Sequence, residues 1–551
     1  MTFLFGVHNH QPAGNFDDVM ADAVKRAYQP FLELARAFPS IRLTVHCTGT
    51  LLEFLRDRAP RAFDLLGALA ARGQIELLTG GFYEPILPVL PDHDKIGQIQ
   101  HLSEFLKSHF GVRPRGMWLA ERVWEPHLPR ALSDAGVEFV LVDDRHFALT
   151  GMDTAELAGY YVTEEQGAKI AVFPISERLR YLVPFAEPAA TLDYLRAWRG
   201  RGAGLTLVDD GEKFGLWPGT YRHVYEDGWL ARFFEALGSA DWLETAAFSD
   251  FLDAHPATGP VYLPTASYSE MGHWALPTRA GMALDETKRR LAALPDGDRL
   301  VGLLRGGFWR TFLIKYPEVG DLYWKMLRLS RVIHEGLVAH PDDQRLREAR
   351  LALWRGQAND AYWHGVFGGC YLPHLRRAVK SALLTAERLE GQAGGRRAWC
   401  TRDDVNGDGL SEILLGTPEL SLTLHPERGG TLTEIGWKPR ALDVADVLTR
   451  RPEVYHEQVK ARGAVGDGVR TIHDARPAKE AGLDALLAYD RFRRASLLDG
   501  LFPAGDALDP VEPWAGAHQA LGDASMACRI ATEADRASAS LSVDRPNGYP
   551  C

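Results

Sequence analysis

The chain has 551 residues, of which 46% are hydrophobic and 25% are charged, a balance typical of soluble globular proteins. It is too long for one ordinary hydrophobic core, so we expect two to four domains. The 62 basic and 73 acidic residues give a formal charge of -11, which argues against nucleic-acid and anionic-membrane partners and suits a neutral substrate.

The five cysteines are odd in number and form no CxxC pair, which argues against a disulfide framework and a zinc–thiolate site. The first ten residues lack a basic n-region and soon turn polar, so we interpret them as a first strand and not as a signal peptide. No apolar run approaches transmembrane length. These features predict a cytoplasmic protein.

Short apolar strands alternate with helical stretches through the first 290 residues. The predicted helices include Val19–Ala37, Leu51–Ala71 and Asp94–Phe110, and the predicted strands are Phe3–His8, Arg42–His46, Ile75–Leu78, Gly116–Leu119, Phe139–Val142, Ile170–Phe173, Leu205–Val208 and Val261–Leu263. This alternation indicates a parallel sheet, and the number of repeats predicts a barrel or near-barrel. The sequence contains neither GxGxxG after a strand nor GxxxxGK[ST], so no nucleotide fingerprint is present.

Polar chemistry collects directly after these strands. The segments are His8–Pro12, Gly80–Pro85, Glu121, Asp143–His146, Asp209–Gly215 and Thr265–Trp274. In a parallel barrel the carboxyl ends of the strands share one face, which is where active sites are built. We therefore expect an active site on that face.

The pattern changes after the barrel. Apolar residues at three-to-four spacing predict helices at Val319–Ala339 and Asp343–Arg355, and a glycine-rich break marks a boundary at Gly391–Gly395. Short strands follow, at Arg397–Cys400, Glu412–Leu415, Leu420–Leu424 and Leu432–Trp437. We predict a barrel or near-barrel domain at 1–290, a helical domain at 291–390 and a β-sandwich-like domain at 397–551.

A loop near the start of the β-rich part resembles a calcium loop. Asp404, Asn406 and Asp408 alternate along it, a glycine follows, and Glu412 comes after. The loop lacks the flanking helix pair and the ligand at position twelve of an EF-hand. A structural calcium ion and a plain Asx/Gly turn are both compatible with this pattern.

Five ordered motifs resemble the sequence regions of glycoside hydrolase family 57. They are His10–Pro12, Gly81–Pro85, Trp118–Val123, Asp209–Gly215 and Ala266–Met271. The segments Asp209–Gly215 and Trp363–Gly369 are similar to its 4-α-glucanotransferase branch, which also includes proteins named α-amylases. The resemblance covers the first 390 residues well. Members of this branch generally continue past the length of this chain.

The resemblance implies an incomplete TIM-like (β/α)7 barrel, a helical region closing over it, and retaining chemistry on α-glucosidic bonds. It makes Glu121 the nucleophile and Asp210 the general acid/base. Further candidate substrate contacts are His8, His10, Glu84, Trp118, Arg122, Asp144, Trp217, Glu270, Trp274, Trp363 and His364. The implied substrate is an α-glucan or maltooligosaccharide, and the implied chemistry requires no cofactor.

The two carboxyl groups also suit these roles on physical grounds. A retaining enzyme needs one carboxylate that attacks and one carboxyl group that arrives protonated. Arg122 would keep Glu121 ionised, and Asp209 next to Asp210 would raise the pKa of the acid. Asp209, Asp143 and Asp144 are rivals for the acid. Glu125 is a rival for the nucleophile, although Pro126 makes it more typical of a turn.

Other functions remain open at this level. His8, His10 and Asp144 could bind a catalytic zinc ion, as in metal-dependent sugar deacetylases and some mannosidases. A non-catalytic glucan-binding protein is a further alternative. Transfer is favoured over hydrolysis because Trp217, Trp274 and Tyr362 could form an acceptor platform. The sequence leaves the oligomeric state open, a homodimer included.

Overall fold

The structure, a computed structural model, describes residues 1–201, 204–395, 397–461, 482–501, 519–522, 524–533 and 535–543. The chain divides into two compact units, the first of which holds residues 1–311 and the second of which begins at Phe312. The three-domain division with boundaries near 290 and 390 stays a prediction. Among the helices of the described residues, none is long and apolar enough to cross a membrane.

The first unit combines a largely parallel sheet with surrounding helices. Its strands are β1 (Thr2–Asn9), β2 (Leu43–Cys47), β3 (Ile75–Leu78), β4 (Gly116–Trp118), β5 (Phe139–Asp143), β6 (Tyr161–Glu165), β7 (Ala168–Ile175), β8 (Gly204–Asp210), β9 (Glu244–Thr245) and β10 (Gly259–Pro260). Its helices are α1 (Asp17–Ala23), α2 (Gln29–Ala37), α3 (Gly49–Arg58), α4 (Pro60–Ala71), α5 (Asp92–Phe110), α6 (Leu128–Asp134), α7 (Asp144–Ala148), α8 (Glu177–Leu182), α9 (Pro188–Ala197), α10 (Trp229–Ser239), α11 (Phe248–Ala254), α12 (Ser269–Trp274), α13 (Thr278–Ala292) and α14 (Gly297–Leu303).

Seven parallel strands follow one another in the order β3, β2, β1, β8, β7, β5, β4. Most neighbours share a ladder, but β7 and β8 share only the pair Ile175 and Thr206. Between β3 and β4 there is an isolated bridge, which joins Thr79 to Met117. This arrangement confirms the predicted incomplete (β/α)7 barrel.

Three local predictions differ from the structure. The stretch predicted as one helix at 51–71 is split into α3 and α4, because Pro60 cannot continue the first helix. The strand predicted at Val261–Leu263 is wrong: β10 ends one residue earlier, and Pro260 and Pro264 supply no N–H to extend a ladder. The sequence reading also missed β6, which pairs antiparallel with β7 through the turn at Gln166 and Gly167.

The strands alternate between two apolar layers. Phe139 and Leu141 of β5 join an inner cluster with Trp118, Phe173 and residues of three other strands, β1, β3 and β8. Their neighbours Val140 and Val142 pack outward against helices α5 to α7. The inner cluster is therefore the floor beneath the carboxyl ends of the strands.

The second unit is helical and then β-rich. Its helices are α15 (Phe312–Lys315), α16 (Pro317–Ala339), α17 (Gln344–Arg355), α18 (Pro373–Ala393) and α19 (Val454–Ala461). Its strands are β11 (Trp399–Asp403), β12 (Glu412–Gly416), β13 (Leu420–His425), β14 (Thr431–Trp437), β15 (Leu442–Asp443), β16 (Gly500–Leu501), β17 (Gln519–Ala520), β18 (Ala527–Glu533) and β19 (Arg536–Ser542). Strands β11 to β15 form one antiparallel sheet, and the β18–β19 hairpin packs on its apolar core. The predicted β-rich C-terminal part is thus confirmed for its described residues, while 462–481, 502–518 and 544–551 of that region lie outside them.

Glycine at the start of β4 is a steric requirement of the inner core. A Cβ atom at Gly116 would lie 2.0 Å from the Phe139 ring, whereas one at Gly238 in α10 would meet its nearest atom at 3.7 Å. We expect Gly116→Ala to lower the free energy of unfolding by about 1–3 kcal/mol. Gly238→Ala should leave it unchanged or raise it by up to about 1 kcal/mol. Urea titrations of both variants check this pair, and equal midpoints would contradict it.

Candidate active site

Strand register brings three polar side chains into one row above the inner core. His8 of β1 lies opposite His46 of β2 and opposite Asp210 of β8. Residues in register on neighbouring parallel strands point to the same face, so these side chains share the carboxyl-end face. His46 was not singled out from the sequence. Its signal was its place at the end of the second predicted strand.

The turns after β3 and β4 hold strained backbone. Glu84, Glu121 and Arg122 have φ angles of 53°, 51° and 48°, in the left-handed region that non-glycine residues rarely adopt. Each such residue costs about 1–3 kcal/mol, and strain of this kind clusters at functional sites. Two of the three are carboxylates that the sequence had singled out.

The Glu121 side chain is held by the segment before α12. The Tyr268 hydroxyl donates a hydrogen bond of 2.6 Å to Oε2 of Glu121, and the Ser267 hydroxyl donates one of 2.5 Å to its carbonyl oxygen. Arg122 extends over the Tyr268 ring at 4.3 Å and places its Nε 3.9 Å from Asp143. The nucleophile candidate is thus oriented by a tyrosine that the sequence reading had not assigned.

Burial raises the pKa of Glu121 to about 7, and the charges of Asp210 and Glu84 add to this rise. The charge of Arg122 and the hydrogen bond from Tyr268 oppose it. The expectation that Arg122 keeps Glu121 fully ionised is therefore wrong for the ligand-free protein, because desolvation outweighs the arginine. Near neutral pH both protonation states of Glu121 are populated.

The rival candidates for the general acid differ in the residues to which they bond. Asp209 bonds Arg180 at 3.1 Å and Lys213, which hold its pKa far below the usual range even though burial alone would raise it. It is a fixed anion and cannot deliver a proton near neutral pH. Asp143 bonds the same arginine at 3.1 Å. Both carboxylates therefore serve to balance charge.

Asp144 and Asp210 remain as candidates for the general acid at the strand ends. Burial and the charge of Asp143 raise the pKa of Asp144 well above its usual value, and its Oδ2 accepts the N–H of Glu177 at 2.9 Å. Asp210 ends β8, and its charge acts on the pKa of Glu121. This electrostatic link favours Asp210 as the partner of Glu121.

Glu125, the rival for the nucleophile, is bound elsewhere. Its two carboxylate oxygens accept hydrogen bonds of 2.7 and 3.1 Å from the Arg310 guanidinium. A bidentate pair of this kind fixes the carboxylate and satisfies its charge. The contact explains Glu125 as a residue that ties the β4 turn to the chain after α14.

Glu212 is a further site residue, which the sequence analysis included only within the segment Asp209–Gly215. It accepts the backbone N–H of His10 at 2.9 Å and the hydroxyl of Tyr28. Burial and the charge of Asp210 raise its pKa. Glu212 therefore fixes the chain after β1 against the chain after β8.

His8, His10 and Glu84 form one polar cluster. His8 Nε2 lies 3.1 Å from Glu84 Oε1, and His10 Nδ1 lies 2.8 Å from Glu84 Oε2. Trp118 stacks beneath His8 at 4.5 Å and is only 2% exposed. Trp118, predicted as a candidate substrate contact, is therefore part of the buried floor, because the imidazole of His8 covers one of its faces.

The structure changes the ligand set of the predicted metal alternative. His8, His10 and Glu84 each offer a ligand atom, and these atoms lie within 4.8 Å of one another. The predicted third ligand, Asp144, is instead occupied by the backbone of α8. Glu84 takes its place because the turn after β3 bends the chain back toward β1.

The remaining candidates of the first unit surround this centre. Trp217 lies against Phe185 with ring centroids 5.8 Å apart, and Lys213 sits 5.3 Å from the Trp217 ring. Glu270 accepts the Tyr181 hydroxyl at 2.9 Å, and the Trp274 ring meets the Tyr268 ring edge-on at 6.1 Å. Their role as substrate contacts stays a prediction.

Two candidates lie in the second unit. Trp363 is 4% exposed and donates its indole N–H to Asn359 at 2.7 Å. His364 makes contacts of 2.7 Å with the Gly368 carbonyl and 3.0 Å with the Tyr455 hydroxyl. Both pack within that unit, and their role as substrate contacts stays a prediction.

The calcium-like loop is bonded to itself. Asp404 accepts the N–H groups of Gly407, Asp408 and Gly409, while Glu412 accepts the Asn406 amide at 3.1 Å. Asp408 also forms a 2.6 Å ion pair with Arg428. These contacts are those of an Asx/Gly turn, and calcium binding by this loop stays a prediction.

Comparison with known proteins shows which protein family the chain matches. The model described as "Glycosyl hydrolase family 57" matches residues 4–264, and the middle and C-terminal models described as "Alpha-amylase/4-alpha-glucanotransferase" match 307–390 and 404–534. The fold and site are thus those of an enzyme that acts on glycosidic bonds.

Individual relatives agree with this class. The chain is 42% identical to "Alpha-amylase 1" of Dictyoglomus thermophilum and 41% identical to "4-alpha-glucanotransferase" of Thermococcus kodakarensis, matching 92% of this chain and 73% and 76% of those proteins. The crystal structure of the 4-alpha-glucanotransferase from Thermococcus litoralis superposes with a TM-score of 0.83 at 39% identity, covering 92% of this chain and 74% of that one. The chain belongs to glycosyl hydrolase family 57.

The hydrogen bond from Tyr268 to Glu121 is testable through pH dependence. Glu121 must be ionised to attack, so kcat/KM for glycoside cleavage should fall as the pH drops below about 7. Tyr268→Phe removes a bond to the ionised form, so the acidic limb should move up by about one pH unit. Tyr262→Phe is the control, because that exposed hydroxyl bonds Glu164 at 2.7 Å instead. Superimposable profiles for Y268F and wild type would contradict the assignment.

Proposed function

We propose that this protein is a retaining α-glucan enzyme that cleaves α-1,4-glucosidic bonds and transfers the glucan to a sugar acceptor, as a 4-α-glucanotransferase does. The observation that carries the proposal is the strained, buried Glu121, held by Tyr268 and electrostatically linked to Asp210. Hydrolysis of the α-amylase type is the alternative, because the relatives carry both names.

The first half-reaction uses both carboxyl groups. The Glu121 carboxylate attacks the anomeric carbon, and the glycosidic bond breaks as protonated Asp210 gives its proton to the leaving oxygen. The product is a covalent glucosyl ester of Glu121, and Asp210 is left as a carboxylate. The raised pKa of Glu121 disfavours the ionised form, which is the form that attacks. Attack is therefore easiest when substrate binding brings further cationic or hydrogen-bonding groups to this carboxylate.

The second half-reaction decides between the two activities. A water molecule or an acceptor hydroxyl attacks the ester while Asp210 takes up its proton, and Glu121 is released as a carboxylate. All steps up to the ester are shared. The outcome depends on which molecule occupies the leaving-group side of the site.

Aromatic rings next to the acid favour a sugar there. The acid must lie on the leaving-group side, and its neighbour Asp209 is paired with Lys213, which packs on both Phe185 and Trp217. Flat aromatic faces bind sugar rings and exclude water. This arrangement supports transfer over hydrolysis.

The donor side has a different character. His8, His10 and Glu84 gather nitrogen and oxygen atoms that suit hydroxyl groups, above the apolar floor of Trp118. We further propose that the protein acts in the cytoplasm, which its free thiols support: Cys47, Cys370, Cys400 and Cys528.

Incubation with maltotriose tests transfer directly. Transfer should yield a ladder of longer maltooligosaccharides, whereas hydrolysis should yield glucose and maltose alone. Chromatography of the products distinguishes the two. Trp217→Ala should shift the products from the ladder toward glucose and maltose, because the acceptor loses its platform. A wild-type reaction that gives only glucose and maltose would refute transfer in favour of the hydrolase.

The nucleophile is tested by matched glutamate variants. Glu121→Gln should lower kcat by at least about 10³-fold while circular dichroism shows an intact fold, because an amide cannot form the ester. Glu125→Gln should keep activity within tenfold of wild type, since Glu125 bonds Arg310. Near-normal turnover by E121Q would overturn the assignment, and loss of turnover in E125Q alone would transfer the role to Glu125.

A further inference from the structure

The His8, His10 and Glu84 cluster offers the donor set that transition metals prefer. Two imidazoles and one carboxylate are common ligands of zinc, and three protein ligands with a fourth position open are typical of accessible zinc sites. The three ligand atoms lie within 4.8 Å of one another. The cluster is the one group of this kind among the described residues, and it lies inside the site described above.

Its dimensions fit a small ion. Tetrahedral bonds of about 2.0–2.2 Å place ligand atoms roughly 3.3–3.5 Å apart. His8 Nε2 and His10 Nδ1 lie 3.1 and 2.8 Å from the two Glu84 oxygens. The two imidazoles would therefore have to move away from the Glu84 oxygens by roughly 0.2–0.7 Å to admit an ion.

His46 provides the support that a metal-bound imidazole needs. Its Nδ1 lies 2.8 Å from Nδ1 of His8, on the side of that ring opposite Glu84. A metal on Nε2 of His8 leaves the proton on Nδ1, where His46 can accept it.

The surroundings orient the cluster and favour a cation. Trp118 stacks on His8 with an interplanar angle of 16°, which fixes the plane of the ring. The carboxylates Glu121, Asp210 and Glu212 lie close enough for their charges to act on one another or on residues of the cluster. The His10 side chain is 20% exposed while those of His8 and Glu84 are 6% and 3% exposed, so the open side of the cluster lies at His10.

We propose that His8, His10 and Glu84 bind one transition-metal ion, such as Zn²⁺, in the ligand-free protein, and that the ion competes with the sugar substrate. Binding itself follows from the cluster alone. Competition rests on the proposed function, because it requires that the glucan occupy the same side chains.

Binding is tested on full-length, untagged protein freed of metal by a chelator and then dialysed. Calorimetry with Zn²⁺ and the visible spectrum of added Co²⁺ should both show one ion per chain, with the intense absorption of tetrahedral cobalt. His10→Gln and Glu84→Gln should each weaken binding by at least tenfold. His340→Gln, at an exposed histidine, should leave it unchanged. The proposed site would be wrong if the wild-type protein did not bind one ion per chain, or if H10Q and E84Q bound the ion as tightly as the wild type.

Competition is tested by kinetics. Zn²⁺ should raise KM for a maltooligosaccharide without lowering kcat, and chelator should restore the original KM. If Zn²⁺ binds at the cluster but KM is unchanged, the proposed competition with substrate is refuted and the proposed metal site is retained. Loss of activity in chelator with recovery on adding Zn²⁺ would also overturn the competition, since the ion would then serve catalysis. A protein inactive on every glucan, with or without chelator, would instead refute the proposed function.

Discussion

Arg180 forms two buried ion pairs that hold carboxyl ends of the barrel strands together. Its guanidinium bonds Asp143 at the end of β5 and Asp209 in β8, each at 3.1 Å. Lys213 reinforces Asp209, and Arg122 lies 3.9 Å from Asp143. Removing one partner of such a buried pair typically costs about 3–5 kcal/mol, because an uncompensated charge is left in a low dielectric.

This charge balance also decides which carboxyl groups can do chemistry. Asp209, which bonds Arg180 and Lys213, stays ionised and cannot exchange a proton near neutral pH. Glu121 lies beside the cations without a direct ion pair of that strength, so burial raises its pKa to about 7. The same site therefore holds permanent anions and titratable groups a few residues apart. The strained turn at Glu121 adds a cost in stability that function, and not folding, explains.

Much of the barrel could be predicted because its signals are local. Apolar runs marked all seven parallel strands, and polar residues directly after them marked the face on which Glu121 and Asp210 lie. The errors concern elements defined by their pairing. β6 was missed and is a strand through its hairpin with the adjacent β7, whereas β10 pairs with the distant β6 and is cut short by Pro260 and Pro264.

The candidate site could be predicted in its residues but not in its contacts. Asp210 and Asp209 are neighbours in sequence, and only the position of Arg180 separates their roles. Tyr268 reaches Glu121 across 147 positions. Glu84 joins His8 and His10, where the sequence suggested Asp144, because of one left-handed turn after β3. Arg122 was expected to set the ionisation of Glu121, but desolvation is a property of the folded surroundings.

The barrel strands form two arcs, because only one bridged pair of residues joins β3 to β4 and only one joins β7 to β8. One arc, β8-β1-β2-β3, carries Asp210, His8 and His46. The other, β4-β5-β7, carries Glu121. Glu121 and Asp210 thus lie on separate arcs of hydrogen-bonded strands. The Arg180 bond to Asp209 links the two arcs across the β7–β8 junction, so a buried ion pair between side chains holds them together where the backbone contributes one pair of residues.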